Sequence, residues 1–241
     1  MDTINLLFFV LTVIALCFCG LTFIPLFFVK SLWVLPGRLL FLSNVPVATA
    51  LIGYVITAPL NYDPFQLSRA ACVVQGYLIS LGFQGVVAVV FLYVHLVYML
   101  VIREVNDATI RKHNYVGSAL IIAHLVASII ANELTGGMTP RGPFCASSSL
   151  YVVLIFPFYT FGLLGFLMVY QCGAIMMRIW RVTQRLESTS SRDGSGKKFR
   201  CCGVRRSFAN INFLYLNMVL LCLLLAGVVW CANRAFLAHL V

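Results

Sequence analysis

The stretch from Cys72 to Ile102 contains no proline and no charged side chain. At about 1.5 Å of rise per residue, a helix over it is longer than the roughly 30 Å hydrocarbon layer of a bilayer. It therefore reads as one membrane-crossing helix with an end in each aqueous phase. Its polar groups are not confined to one side. Gln84 and His95 share a stripe with Phe91, whereas Gln75 falls on the opposite face. Unpartnered polar groups are costly in hydrocarbon, so this distribution predicts a helix enclosed by other helices. Gly76 and Ser80 add a small-xxx-small spacing that admits a neighbouring backbone.

The rest of the chain has the same character. Of 241 residues, 61% are hydrophobic and 10% charged, and the mean hydropathy of +0.98 lies far outside the range of soluble domains. Apolar runs long enough to cross a bilayer occur at Ile4 to Val29, Leu39 to Pro59, Ala70 to Ile102, Tyr115 to Ala131, Leu150 to Met177 and Phe208 to Cys231. The expectation is an all-α, polytopic membrane helix bundle of six spans forming a single domain over 1–241. Continuous rather than alternating apolar runs exclude a β-barrel.

The net charge of +10 does not point to nucleic acid, because the basic residues are segregated. All but Arg69, Arg141 and Arg234 fall between spans one and two, three and four, or five and six. The positive-inside rule puts those connections in the cytoplasm and the N-terminus outside. No basic residue precedes the first span, which therefore reads as a retained helix rather than a cleaved leader. Residues 178–207 form a basic, partly disordered cytoplasmic loop, with a helix continuing through RIWRVTQRL and a linker-like STSSRDGSGKK after it. Pro157, in the fifth span, predicts a kink.

The nine cysteines sort by compartment. Cys72, Cys145 and, at the end of span six, Cys231 can meet the oxidising side, and a Cys72 to Cys145 disulfide is predicted. Cys201 and Cys202, beside basic residues at a membrane surface, are candidates for S-palmitoylation. No Ser/His/Asp set, HExxH, paired CxxC, P-loop or GxGxxG segment is present. No enzyme, cofactor or metal site is expected. Glu133 is the one acidic residue near the bilayer, which weakens a proton-coupled carrier.

Cys72-x-x-Gln75-Gly76-Tyr77 at the start of the third span, His95 two-thirds of the way down it, and a fifth span from Tyr151 to Pro157 followed by a basic loop resemble fungal seven-helix G-protein-coupled receptors of the glucose-sensing and cyclic-AMP-receptor-like group. The resemblance covers spans two to five; no seventh span is visible. It implies a plasma-membrane protein with an outward-facing small-molecule pocket and a disulfide from Cys72 to the second outer loop. It also implies a cytoplasmic surface for a heterotrimeric G protein. Candidate ligand contacts are Gln75, Gln84, Tyr151 and Trp230. Candidate coupling residues are Arg103, Glu104, Arg181, Arg185, Arg205 and Arg206. The alternatives are a small-molecule transporter or channel lined by Gln84 and His95, and a truncated, non-signalling membrane scaffold.

Overall fold

A computed structural model of the protein describes residues 3–28, 37–57, 60, 63–141, 144–158 and 160–190. The chain divides into two compact units, Met1–Val182 and Thr183–Val241. The description below concerns the first unit and the extension of its last helix to Ser190.

The described part is mostly helical. α1 runs Thr3–Phe28, α2 Gly37–Leu42, α3 Asn44–Ile56, α4 Arg69–Val101, α5 Asp107–Leu134, α6 Leu150–Val153 and α7 Gly165–Ser190. Among the described residues, three helices are long and apolar enough to cross a membrane: Arg69–Val101, Asp107–Leu134 and Gly162–Gln184. Shorter apolar helices cover Phe9–Leu21 and Asn44–Ile56. The proposed sixth span, Phe208 to Cys231, lies outside the described residues. Large apolar side chains project outward from α1, α5 and α7, among them Phe18, Leu120, Phe166 and Val169. A protein with such helices and such faces is membrane-associated.

α4 is the central element. Half of its most apolar 18-residue window is buried, against 6% for α5 and 11% for the span beginning at Gly162. It starts on Ser68, whose hydroxyl accepts the Ala71 N–H at 3.3 Å and satisfies one of the orphan donors of the first turn. α3 packs along it at very close range. A methyl group on Gly82 would sit 2.6 Å from the Ala50 nitrogen, and one on Gly85 would sit 2.9 Å from Pro46. The helix-to-helix approach is thus made at Gly82 and Gly85. Gly76, expected to admit a neighbouring backbone, does so for the hairpin: a methyl there would sit 3.1 Å from the Cys145 carbonyl oxygen and 2.9 Å from the Met138 side chain.

Span two is interrupted at Ser43 between α2 and α3. Pro46 has no N–H for the carbonyl of Leu42 and its ring crowds that carbonyl, so the helix breaks there. The path continues nonetheless, because the Ser43 N–H reaches Leu39 O at 3.0 Å.

The connection after α4 is much shorter than the twelve-residue loop REVNDATIRKHN expected from hydropathy. α5 begins at Asp107, capped by Asn106 Oδ1 on the Thr109 N–H at 2.9 Å. Arg111 and Lys112 are therefore helical and exposed rather than part of a loop. The reversal runs through Glu104, at φ 52° a left-handed residue that is not glycine.

After α5 the chain turns on Gly136 and Gly137, at φ 109° and 71°, where side-chain-bearing residues would be strained. It then forms a two-stranded antiparallel hairpin, β1 Met138–Arg141 with β2 Phe144–Ser147, pairing Met138 with Ser147 and Pro140 with Cys145. These two strands depart from the all-α expectation. Beyond it, α6 passes into two π-helical stretches, Leu154–Phe158 and Thr160–Leu164, before α7. Pro157 lacks the N–H that a regular α-helix would use, and the wider turn accommodates that gap.

Candidate functional site

Three polar assemblies lie along α4, one near the hairpin, one near its middle and one near the α4–α5 turn. Nearest the hairpin, Cys72 and Cys145 form a disulfide. One turn further on, fully buried Gln75 donates from Nε2 to Thr57 Oγ1 at 3.0 Å and accepts the Cys145 N–H on Oε1 at 3.2 Å. The backbone amide is only a donor, so the orientation of the glutamine amide is fixed. Thr57 passes the chain on to Tyr54 O at 3.4 Å. Tyr54 closes the same corner with its ring edge-on to Phe144, centroids 4.6 Å apart. The hairpin is thereby joined to α3 and α4 by a covalent bond, a buried amide and an aromatic contact. Tyr77 adds a hydrogen bond from its hydroxyl to Glu133 of α5.

In the middle, Gln84 is buried and donates to Ser80 Oγ at 3.0 Å and Ser128 Oγ at 3.1 Å, while its Oε1 has no partner. Asn132 sits one turn along from Ser128, donating to the Ser128 carbonyl at 2.9 Å, and its Oδ1 is also without a partner. This assembly binds α4 to α5.

Nearest the turn, His95 links three elements. Its Nδ1 faces Gln171 Nε2 of α7 at 3.2 Å, and its Nε2 faces His113 Nδ1 of α5 at 3.4 Å. Phe91 stacks on the His95 ring at a centroid distance of 6.0 Å. Beside this chain, α4, α5 and the Thr160–Leu164 stretch enclose a cavity of about 370 Å³. Its walls are mainly aliphatic, with His95, His113 and His124 as the polar members. At the end of α4, the exposed carboxylate of Glu104 accepts from the guanidinium of Arg178 on α7.

No family model and no curated protein matches the chain at a significant level.

The sequence candidates are distributed over this frame rather than gathered in one pocket. Gln75 is enclosed beneath the hairpin and Gln84 lies between α4 and α5, whereas Tyr151 is 77% exposed at the start of α6. Arg103, Glu104 and Arg181 are exposed near the turn end, and Arg185 lies on α7. Trp230, Arg205, Arg206, Cys201 and Cys202 lie outside the described residues.

His113, Gln171, Arg178, Thr57 and Ser128 are partners that sequence reasoning did not single out. A signal for His113 was present: His95 and His113 stand nine residues either side of Glu104. Two antiparallel helices sharing a tight turn bring such equidistant residues opposite one another.

Proposed function

We propose that the chain is a receptor-like, plasma-membrane protein of six spans. In this reading it senses an extracellular small molecule and signals to a cytoplasmic heterotrimeric G protein. One arrangement supports it above others. The hairpin is fixed to one end of α4 by the Cys72–Cys145 bond and by Gln75, while the other end of the same helix is held to α7 by Glu104 and Arg178. A ligand that shifts the hairpin end acts on a single enclosed helix, and a partner at the far end meets that helix at an exposed ion pair. Ligand binding then redistributes the population of helix arrangements.

On this reading Gln75, Gln84, Tyr151 and Trp230 supply or support ligand contacts. Arg103, Glu104, Arg181, Arg185, Arg205 and Arg206 form the coupling surface, with Cys201 and Cys202 palmitoylated beside it. A carrier or channel draws less support, since Gln84 is held between Ser80 and Ser128 instead of facing a path.

The test is guanine-nucleotide exchange in membranes containing the chain and a heterotrimer, across a panel of sugars and small metabolites. At least one compound is expected to stimulate exchange, Glu104→Gln and Arg178→Ala to raise the basal rate, and Cys145→Ser to remove the stimulated component. Exchange no faster than in empty membranes for every compound and variant overturns the proposal. Solute flux into proteoliposomes without exchange selects the carrier instead.

A further inference from the structure

The cavity beside His95 opens through an apolar rim. Three of its lining residues, Val116, Leu120 and Leu163, are at the same time 52%, 66% and 43% exposed, so they form the rim of an opening between α5 and the Thr160–Leu164 stretch. Both elements belong to helices long and apolar enough to cross a membrane. Among the described residues, no Asp, Glu, Lys or Arg lines the space. At about 370 Å³ it is in the range of sites that take small organic ligands.

The hydrogen-bonding capacity of the cavity is concentrated towards the turn. There His113 lies close to Arg111 and Lys112, which are exposed and mark the depth at which the bilayer becomes polar. His124, further along α5, is engaged with Phe156 at a centroid distance of 5.4 Å. The tautomers of the Gln171–His95–His113 chain follow from its direction. If Gln171 Nε2 donates to His95 Nδ1, then His95 Nε2–H donates to His113 Nδ1, and His113 Nε2 is left as a donor. With the Gln171 amide reversed, its oxygen accepts from His95 Nδ1–H, and every step down to His113 Nε2 reverses to an acceptor. A hydroxyl satisfies either state because it both donates and accepts, whereas a carboxylate or an ammonium satisfies only one. The uncharged lining disfavours both ions further, since nothing there offsets the cost of desolvating a charge.

We infer that this cavity binds an uncharged, single-hydroxyl membrane amphiphile, its hydroxyl at His113 and its apolar body along Leu120 and Leu163 towards the bilayer centre. Two sources carry that chemistry, a sterol and a long-chain alcohol. The inference rests on the cavity alone and stands whether or not the chain couples to a G protein.

The full chain is placed in phosphatidylcholine nanodiscs with diazirine-bearing analogues of a sterol, a long-chain alcohol and a fatty acid, irradiated, and its crosslinks are mapped by mass spectrometry. At least one hydroxyl probe is expected to label the peptides carrying Val116, Leu120 or Leu163 in excess over the Phe166–Tyr170 surface, and unlabelled parent lipid is expected to compete. Which hydroxyl probe labels identifies the source. Leu120→Trp, which fills the mouth from an exposed position, should cut rim labelling about tenfold and leave the Phe166–Tyr170 labelling unchanged. His113→Phe should remove the preference of hydroxyl over acid, about tenfold for one lost hydrogen bond. Val116→Phe gives the same blocking test if Leu120→Trp fails to fold. Labelling spread over α5 and α7 in proportion to exposure and indifferent to Leu120→Trp overturns the inference, as does equal labelling by the acid probe, or no rim labelling by either hydroxyl probe.

Discussion

Gln75 and Gln84 sit on the same helix and are equally buried, yet their side chains have opposite dependence on their surroundings. Gln75 accepts the buried Cys145 N–H, a group with no other described acceptor. Gln84 donates to two serine hydroxyls, which can turn to their own helix carbonyls when it is gone, and its own Oε1 is unsatisfied. Gln75→Leu therefore orphans a backbone donor and is expected to cost about 1–3 kcal/mol. In a chain of this size that is about 2–4 °C of melting temperature per kcal/mol. Gln84→Leu removes an orphan along with its bonds, and the coupling lost with Ser128 is about 0.6 kcal/mol. Heating each variant in detergent and following the monomer peak by size exclusion checks the difference; equal losses would contradict it.

At the scale of elements, the fit of α3 against α4 depends on missing atoms. Because a methyl on Gly82 would lie 2.6–2.8 Å from Ala50 backbone and side-chain atoms, Gly82→Ala forces the two helices apart and is expected to cost about 1–3 kcal/mol. Gly173 meets nothing within 4 Å, so Gly173→Ala is expected to be neutral or mildly stabilising through helix propensity. The same melting measurement separates the two. Neither fact was legible in the sequence, where Gly76–Ser80 offered the more obvious small-residue spacing; a glycine's partner depends on which element lies over it. The start of α5 was hidden for a related reason. Hydropathy detects residues that suit hydrocarbon, and Asp107, Arg111 and Lys112 fit a helix that extends beyond it.

For the whole molecule, the chemistry of α4 could be read in advance. An uncharged run from Cys72 to Ile102, with polar groups on two faces, already required an enclosed helix, and sorting cysteines by compartment already paired Cys72 with Cys145. The hairpin over it was not readable, since Gly136, Gly137 and Pro140 look alike in a loop and in a turn-and-strand unit. The orientation of α4 has a direct check. A membrane-impermeant maleimide on intact cells is expected to modify Phe65→Cys, at the hairpin end, and to spare Arg103→Cys until the membrane is opened, with the unmutated protein giving the background. The opposite pattern reverses the orientation, and equal access to both sites removes the crossing altogether.

The left-handed Glu104 at the centre of the α4–α5 reversal gives this link a meaning beyond its length. It fixes which turns of the two helices meet, setting His95 opposite His113 at equal distance from Glu104 and Gln84 opposite Ser128 one helical turn out of that symmetry. One extra residue spliced into the link and absorbed by α5 would rotate that helix by about 100° and slide it about 1.5 Å. Both polar clasps would fall out of phase together. Natural length variation should therefore be far better tolerated at the tip of the hairpin than here.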